Sequence, residues 1–375
     1  EKITGFAHRM RLLIYIEPTS YIIALLNNIK MCTCAPIKTV FLEENLTQNW
    51  GIDLKSNSEI QVLRGGFFSK LVHILQLISH RDIEVVHLAG WGHPLLLVAM
   101  VSASLRRISV TVETDTPLPI GLSSWKRVVK KMLYPQLFKL PSMFLPGGTR
   151  QAKYLQYYGV PRSRISIAQM TVDVVSISKY IDAIDSTRRV DIRKSLGLSE
   201  NAVIFLYVGR MEVYKGVLEL IDAFTHQSAD SVLLLVGDGS LFESITQKSI
   251  TDLRIKVTGR LSGSELLDMY AISDIFVLAS SFESWGLVVN EAMSAGLPVI
   301  ATDKVGCVDD LVVDGETGLV VSSESRQTLS VAMRNLLDDI SLRNTMSCNA
   351  RNLIKGWSLE NEAEIIVSAW EKVSS

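Results

Sequence analysis

The sequence predicts an α/β protein made of two doubly wound, Rossmann-like domains. Its 375 residues suffice for two or three domains of ordinary size. Short runs rich in β-branched residues alternate with segments of helical periodicity almost throughout, which is typical of parallel sheets with right-handed crossovers. Hydrophobic residues make up 47% of the chain and charged residues 21%, so the disordered, collagen-like and coiled-coil classes are excluded.

The elements follow in order along the chain. Segments 68–79 and 94–107 have helical periodicity, and a last amphipathic helix follows Trp357 with Ser358 as its N-cap. Apolar runs predict strands in the first half at 11–16, 37–42, 84–88, 108–112, 142–146 and 164–167. Apolar runs predict strands in the second half at 203–208, 232–236, 255–258, 275–278 and 298–301.

A drop in apolar density and a rise in charge place a linker near 175–195. We therefore predict a first domain over 1–178, a second over 179–356, and a C-terminal helix over 357–375 that packs on the first domain. Residues 1–178 hold 20 Lys and Arg against 11 Asp and Glu, a balance of +9, whereas the rest hold 18 against 28, a balance of −10. Opposite balances indicate domains that face different partners.

Cysteine content and hydropathy narrow the class further. Four cysteines are too few for a disulfide framework in a chain of this length, which favours reduced thiols and a cytoplasmic location. Cys32 and Cys34 lack a second ligand pair at zinc-finger spacing. No apolar run reaches the ~18 residues of a membrane span, since the longest, 94–105, is interrupted by serines. We expect no transmembrane segment, no metal site and no nucleic-acid partner.

The loop after the predicted strand 203–208 has the composition of an anion site. It begins at Gly209, ends at Gly216, and contains Arg210 and Lys215. Ligands of doubly wound domains bind at the carboxyl ends of the strands, where glycines let backbone amides approach an anion such as a diphosphate. A solvated loop with incidental charge is the alternative. Similar strand-to-turn junctions follow at 236–239 and 258–261.

Two glutamates, Glu283 and Glu291, bracket seven residues that include Gly286. A helix that begins at Gly286 presents amides and the positive end of its dipole to phosphate. Were the whole segment helical, the glutamate Cα atoms would be ~12 Å apart along the axis. That differs from the ~5–5.5 Å carboxyl separation of a retaining glycosidase. The two acids are therefore expected to serve different parts of one long ligand.

The stretch 209–321, including the tail 314–320, resembles the nucleotide-sugar domain of the retaining GT-B glycosyltransferases of family 4, the group 1 glycosyl transferases. The first half resembles the family's acceptor domain only in its alternation and in the short pieces 85–87, 144–147 and 171–173. The resemblance implies a GT-B fold, in which two Rossmann-like domains enclose a cleft and a C-terminal helix crosses back to the first domain.

The resemblance also implies residue roles. Arg210 and Lys215 match the pair that grips the donor diphosphate, Glu283 matches the glutamate near the transferred sugar, and Glu291 matches the glutamate on the ribose hydroxyls. Fixed cations and amides then stabilise the charge on the leaving diphosphate in place of a metal ion, and no cofactor is expected beyond a UDP- or GDP-sugar donor. The other positions expected at the nucleotide sugar are Gly209, Gly237, Asp238, Arg260, Leu261, Ser284, Gly286 and Leu287.

The first half departs from the family pattern at two places. Residues 17–21 stand where relatives carry a glycine-rich loop, and 111–115 offers acids where relatives often have a histidine. His93 is our candidate for a sugar-facing imidazole, with a histidine that merely lies near a helix start as the alternative. Glu113 or Asp115 is expected to orient the acceptor hydroxyl; an acidic metal-binding motif is the alternative.

Residues 125–139 form a candidate contact with a membrane. Four basic residues, 126, 127, 130 and 131, recur on one helical face beside Trp125 and other apolar side chains. Such a helix suits an anionic membrane surface or a lipid-diphosphate acceptor, and a solvated face over core residues is the alternative.

The predicted function is a retaining, metal-independent hexosyltransferase. Its expected partners are a nucleotide sugar and a glycan acceptor, in bacterial surface polysaccharide synthesis of the O-antigen or capsule type. The basic first half favours an acceptor in lipid-linked form. Its expected location is the cytoplasm, peripheral on the inner face of the plasma membrane. Alternatives are a soluble transferase for a small sugar or storage polysaccharide, a non-catalytic sugar-nucleotide-binding subunit, and a nucleotide-sugar epimerase.

Overall fold

The computed structural model describes residues 9–44, 59–118 and 124–374, which separate into two compact units. Within these ranges, unit 1 takes in the chain up to Met170 and again from Leu359, and unit 2 is Thr171–Ser358. The C-terminal segment thus belongs to the same unit as the N-terminal half.

Unit 1 contains a parallel six-stranded sheet in the order β3-β2-β1-β4-β5-β6. The order reverses between β1 and β4, which makes that pair the topological switch point of the sheet. The strands are β1 (Met10–Tyr15), β2 (Ile37–Phe41), β3 (Ile60–Val62), β4 (Ile83–Leu88), β5 (Ser109–Thr114) and β6 (Met143–Pro146).

Helices cover both faces of this sheet because alternate strand residues are buried on opposite sides. One core joins the sheet to α1 (Ser20–Cys32) and to the C-terminal helix α15 (Leu359–Ser374). The other core joins it to α2 (Phe67–Ser79), α3 (Pro94–Leu105), α4 (Ser124–Leu137) and α5 (Thr149–Tyr157).

Unit 2 contains a second parallel six-stranded sheet, in the order β12-β11-β10-β7-β8-β9. Counted within each unit, both sheets run 3-2-1-4-5-6, so the switch point of unit 2 lies between β7 and β10. The strands are β7 (Val203–Val208), β8 (Ser231–Val236), β9 (Ile255–Gly259), β10 (Ile275–Leu278), β11 (Val299–Thr302) and β12 (Gly318–Val321). The helices are α6 (Val174–Asp182), α7 (Ser186–Ser195), α8 (Val217–Thr225), α9 (Phe242–Thr251), α10 (Gly263–Ile272), α11 (Leu287–Ser294), α12 (Val308–Leu311), α13 (Arg326–Asp338) and α14 (Ile340–Ile354).

The predicted α/β class with two doubly wound sheets is confirmed, and three details are corrected. Residues 164–167 are not a strand: a 3-10 turn is followed by one isolated bridge from Ile165 to Phe144. The short edge strands β3 and β12 lacked an apolar run long enough to predict them. Segment 175–195 is not a linker but forms α6 and α7 of unit 2, because the buried guanidinium of Arg193 bonds the Ile272 carbonyl and Asp274.

The same ranges show no helix that combines the length and the apolar content needed to cross a bilayer. None of the four cysteines, all within the described residues, forms a disulfide bond; Cys307 is buried, and Cys34 and Cys348 are exposed.

Candidate functional site

The switch point of unit 2 brings together Lys215 and Glu283. Lys215 ends a 3-10 turn in the loop after β7, and Glu283 lies in the loop after β10. The Lys215 ammonium donates to Oε2 of Glu283, and both side chains are largely buried, at 14% and 16% exposed. A cation and a carboxylate predicted from separate motifs are therefore in direct contact.

Backbone contacts hold these two loops together. Gly216 has φ +68°, and a Cβ there would lie 2.0 Å from the carbonyl oxygen of Ala279, so the β7 loop closes on the β10 loop only with glycine at this position. The Ser281 amide also donates to the Tyr214 carbonyl over 2.8 Å. Arg210 donates to the Tyr214 hydroxyl, which fixes the second predicted cation beside the same loop.

The loop from Glu283 to Gly286 leads into α11 as predicted. Gly286 is the N-cap residue, with φ +103°, a conformation that favours glycine. Trp285 is 2% exposed, stacks on Trp357 with ring centroids 5.4 Å apart, and donates to Oδ1 of Asn290 over 3.0 Å. This anchor fixes the direction of the first α11 amides, including that of Leu287. Ser284 is half-buried within the same loop.

Glu291 lies on α11 beside the buried Tyr270 of α10. The tyrosine hydroxyl donates to Oε2 of Glu291 over 2.6 Å. Burial raises the pKa of the Glu291 carboxyl, against the lowering effect of this hydrogen bond. Burial and the charge of Glu291 raise the pKa of Tyr270 well above its usual value. Tyr270 therefore keeps its proton and directs a donor at the carboxylate.

The remaining predicted positions of unit 2 follow β8 and β9, which lie next to β7. Gly237 has φ +136°, and a Cβ there would come within 1.9 Å of the Gly209 carbonyl oxygen. The Asp238 carbonyl accepts from Met211 over 2.6 Å. The two remaining positions at this carboxyl edge of the sheet are Arg260, which is exposed, and Leu261, which is half-buried.

Unit 1 contains a cavity of about 720 Å³ at the carboxyl ends of β1, β4, β5 and β6. Its wall includes the predicted Glu113 and Asp115, and Lys130 and Tyr134 of α4. Burial raises the pKa of Tyr21, on the same wall, to about 12, so that its hydroxyl remains a hydrogen-bond donor at neutral pH. Further carboxylates come from Glu17 and Glu362.

His93 lies at the start of α3 and acts as its N-cap, because its Nδ1 accepts from the Leu95 amide over 3.2 Å. It lies next to Gly92, which lines the cavity. A sugar contact by His93 remains a prediction. In the part of the chain that the structure describes, no group of three or more His, Cys, Asp or Glu side chains has metal-site geometry.

Several residues of these sites were not predicted. Tyr214, Tyr270 and Trp285 support the predicted cations and glutamates of unit 2, and Glu362 reaches the cavity of unit 1 from α15. The contacts of Tyr270 and Glu362 join segments that are distant in sequence, so no spacing marks these two residues. The one available signal was Trp285, an aromatic residue between Glu283 and Gly286.

Helix α4 exposes the face that was predicted to contact a membrane. Trp125, Met132 and Leu133 are 65%, 71% and 60% exposed. Lys126 lies 5.6 Å from the Trp125 ring centroid, and Lys130 lies 5.3 Å from that of Tyr134, on the wall of the cavity. The helix thus exposes apolar and basic side chains on one side and lines the cavity on another.

Comparison with known proteins agrees with the resemblance. Residues 188–353 match the family model of glycosyl transferases group 1. The α-D-kanosaminyltransferase of Streptomyces kanamyceticus is 34% identical over 182 residues, which are 47% of this chain and 46% of that protein. The UDP-Gal:α-D-GlcNAc-diphosphoundecaprenol α-1,3-galactosyltransferase of Escherichia coli is 29% identical over 312 residues, 79% of this chain and 77% of that protein.

The fold is that of solved GT-B structures. Anabaena Alr3699/HepE in complex with UDP superposes with a TM-score of 0.80 at 15% identity, over 97% of this chain and 100% of that one. The match with the first curated relatives spans about half of their length or less, at 46%, 32% and 53%.

Proposed function

We propose that this chain, whose residues 188–353 match the family model of glycosyl transferases group 1, moves a hexose-type sugar from a nucleoside diphosphate to a glycan hydroxyl. The observation that carries the proposal is the contact between Lys215 and Glu283 at the switch point of unit 2. It places a cation, a carboxylate and the first amides of α11 within one short stretch of surface.

The chemistry of such a donor site follows from its charges. Cleaving the bond between the sugar and the diphosphate builds negative charge on the leaving group. Arg210, Lys215 and the amides at Gly286 and Leu287 are fixed donors of the kind that stabilises such charge. Glu291 accepts hydrogen bonds from ribose hydroxyls. These groups perform the task without a metal ion.

Transfer proceeds with retention in this proposal. The bond from the anomeric carbon to the diphosphate oxygen breaks, and the acceptor oxygen bonds to that carbon on the same face. The acceptor proton passes to the departing phosphate oxygen, so the products are the new glycoside and the nucleoside diphosphate. Support for this route comes from the family resemblance.

A melting-temperature panel tests the donor site. We expect UDP, GDP or one of their sugars to raise the melting temperature in a dose-dependent manner, because a ligand of the native state stabilises it. EDTA should leave both the shift and the turnover unchanged. If no nucleotide shifts the melting temperature, or if EDTA stops turnover, the proposal is wrong.

The acceptor we propose is a lipid-linked glycan of bacterial surface polysaccharide, of the O-antigen or capsule type. The cavity of unit 1 offers carboxylates and tyrosine rings, which suit sugar hydroxyls and sugar faces. Lys130 and Tyr134 on its wall belong to the helix that exposes Trp125 and Met132. One helix is thus suited to contact both the glycan and the membrane that carries it. The protein would then be peripheral at the inner face of the plasma membrane.

Exposed apolar side chains on two other helices of unit 1 also support the membrane contact. Helices α2 and α3 pack on the same sheet face as α4 and add the exposed side chains Phe68 and Leu105. Apolar side chains flanked by lysines bind anionic bilayers through burial and charge together.

Vesicle sedimentation tests the membrane contact. Wild type should bind vesicles that contain phosphatidylglycerol and release them at 0.5 M salt, since the Debye length falls to a few Å. Lys126→Glu combined with Lys131→Glu should abolish binding, whereas the matched double reversal of two exposed lysines of unit 2, Lys194→Glu with Lys248→Glu, should not. Binding that both sets of variants retain would contradict the proposed contact.

A transfer assay separates the alternatives. Radiolabelled UDP- and GDP-sugars are offered with α-D-GlcNAc-diphosphoundecaprenol, with free sugars and with glycogen as acceptors. Label in the lipid product supports the proposal, and label only in the soluble products indicates a soluble transferase. Nucleotide binding without transfer or release indicates a binding subunit, and donor conversion without acceptor indicates an epimerase.

A further inference from the structure

A chain of hydrogen bonds crosses the core of unit 1 from α15 to the cavity. Trp370 of α15 donates its indole Nε1–H to Nδ1 of His87, at the end of β4, over 3.2 Å. Nε2 of His87 lies 3.0 Å from Oε1 of Glu113. The side chain of His87 is fully buried, and Trp370 is 1% exposed. The chain therefore links the C-terminal helix to a cavity-lining carboxylate.

The direction of each bond follows from the indole. An indole nitrogen can only donate, so Nδ1 of His87 accepts. A neutral imidazole that accepts at Nδ1 carries its proton on Nε2 and donates that proton to Glu113. The Thr111 hydroxyl lies 2.8 Å from the same Nδ1 and can donate to it as well. Trp370 thus selects one tautomer of His87.

Glu113 accepts hydrogen bonds from the protein interior at one of its two carboxylate oxygens, Oε1. Its Oε1 receives the bond from His87 and a second from the hydroxyl of Tyr15, over 3.3 Å. Burial, followed by the charge of Glu113, raises the pKa of Tyr15, so the tyrosine stays a donor. Within residues 9–44, 59–118 and 124–374, no donor bonds to Oε2 of Glu113. The carboxylate is oriented from the interior, and its side chain lines the cavity.

We propose that Trp370 and His87 are positioning residues that orient Glu113, and that Oε2 of Glu113 accepts a hydrogen bond from a hydroxyl of the acceptor sugar next to the one that reacts. The inference rests on the proposed function, and between the two predicted acids it selects Glu113. The tautomer matters because an imidazole with its proton on Nδ1 would direct a lone pair at Oε1. Repulsion would then turn the carboxylate away from the acceptor.

Nitrogen NMR of the histidine rings tests the tautomer without any acceptor. The chain has six histidines, and His87→Gln assigns the resonances of His87. At pH 7 we expect protonated Nε2 and unprotonated Nδ1 at His87. Trp370→Phe should lower the share of this tautomer, whereas Trp125→Phe, at an exposed tryptophan of α4, should not. A proton on Nδ1 in the wild type, or no change in Trp370→Phe, would overturn the proposal.

Kinetics test the positioning role, on whichever acceptor of the transfer assay the wild type glycosylates. His87→Ala should lower kcat about 10- to 100-fold while KM for the donor stays unchanged, since a misplaced polar group slows transfer. His87→Gln should recover most of that loss, because its side-chain amide donates from near the position of Nε2. Equal losses in the two variants would overturn the role.

The two experiments fail independently. If the wild type glycosylates no acceptor but binds UDP, the proposed function fails, and the NMR result alone decides whether Trp370 fixes the His87 tautomer. If transfer occurs and His87→Ala turns over at the wild-type rate, the proposed function stands and the positioning role is wrong. The melting shift given by UDP serves as the folding control in every variant.

Discussion

The two sheets share one strand order, yet the loops at their switch points differ in charge. In unit 2 the loops after β7 and β10 carry two cations, Arg210 and Lys215, and two carboxylates, Glu212 and Glu283. Glu283 accepts from Lys215, and Glu212 accepts from the Ser240 hydroxyl. In unit 1 the cavity at the equivalent strand ends has one lysine, Lys130, among its described lining residues. Its carboxylates come from Glu17, Glu113, Asp115 and Glu362.

This difference shows that the topology fixes where a ligand binds, whereas the loops determine its chemistry. An edge with two fixed cations and free helix amides suits a diphosphate, and an acidic edge with tyrosines suits hydroxyl groups. Both units nevertheless share one feature: a fully buried tyrosine donates a hydrogen bond to a carboxylate of the site. The pairs are Tyr270 with Glu291 over 2.6 Å and Tyr15 with Glu113 over 3.3 Å.

The largest expected effect is the loss of turnover when Lys215, one of the two cations of the unit 2 loops, is removed. Lys215→Ala should lower kcat about 10²- to 10³-fold, because it removes one fixed donor from the charge that develops on the leaving group. It should also shrink the melting shift given by UDP. Steady-state kinetics and thermal melts of the purified protein measure the two effects.

Two matched variants complete that experiment. Lys248→Ala removes an exposed lysine of α9 and should leave turnover unchanged. Glu113→Gln removes a carboxylate from the cavity of unit 1, and UDP should raise its melting temperature as much as it does that of the wild type. Near-normal turnover in Lys215→Ala would show that the donor site lies elsewhere.

The second prediction concerns how closely the two loops of unit 2 approach. Gly216→Ala should lower the free energy of unfolding by about 2–4 kcal/mol, since its Cβ would lie 2.0 Å from the Ala279 oxygen at φ +68°. Gly197→Ala is the matched control, with φ +65° and no atom within 4 Å. It should lose only about 1–2 kcal/mol, from the left-handed backbone. Equal losses in urea titrations would show that the loops are not closely packed.

Much of the fold was predictable from the sequence because strand and helix periods are local. The predicted core strands of both sheets match the structure to within a residue or two, as at Val203–Val208. Segment 175–195 was misread because its charges suggested exposure. Arg193 in fact satisfies its guanidinium on carbonyls that are distant in sequence, at Ile272 and Ala202. The residues next to Arg193 in the sequence do not indicate that its charge will be buried and hydrogen-bonded in this way.

The candidate site was predictable to the same extent. Glycines and charges at strand ends marked Lys215 and Glu283, since loops at one edge of a parallel sheet converge. The partners Tyr270 and Trp370 were missed. Trp370 lies 283 residues from His87, and no period or spacing connects them. Supporting contacts of this kind become visible only when the chain is folded.

The third prediction compares the two tyrosine–carboxylate pairs. Tyr270→Phe should lower the free energy of unfolding by about 1.5–3 kcal/mol, the usual range for a hydrogen bond to a charged group. Tyr15→Phe should lower it by less than about 1 kcal/mol, because its bond is longer and Glu113 keeps the bond from His87. Urea titrations of both variants measure the difference. A larger loss in Tyr15→Phe would mean that Tyr15 is the main support of Glu113.

The smallest expected effect is a pH dependence at Glu291. Because burial raises its pKa in the folded protein, the native state binds the proton more tightly than the unfolded chain does. Its contribution to stability is therefore present below the unfolded pKa and is lost as the pH rises through the folded pKa. Glu291→Gln has no such proton, so its stability relative to wild type should increase with pH and then level off. Urea titrations of both proteins between about pH 4 and pH 8 measure this difference, in which the other carboxyls cancel.

The same titration tests whether Glu291 binds the ribose of the nucleotide. A carboxylate accepts from two hydroxyls, whereas its protonated form donates one bond and accepts less well. UDP should therefore bind the wild type more tightly as the pH rises through the folded pKa of Glu291, while in Glu291→Gln that increase should be absent. If both proteins gain affinity equally over this range, the titrating group is another one, such as the phosphate of UDP itself. Arg210 and Lys215, and not Glu291, would then be the residues that determine nucleotide affinity in unit 2.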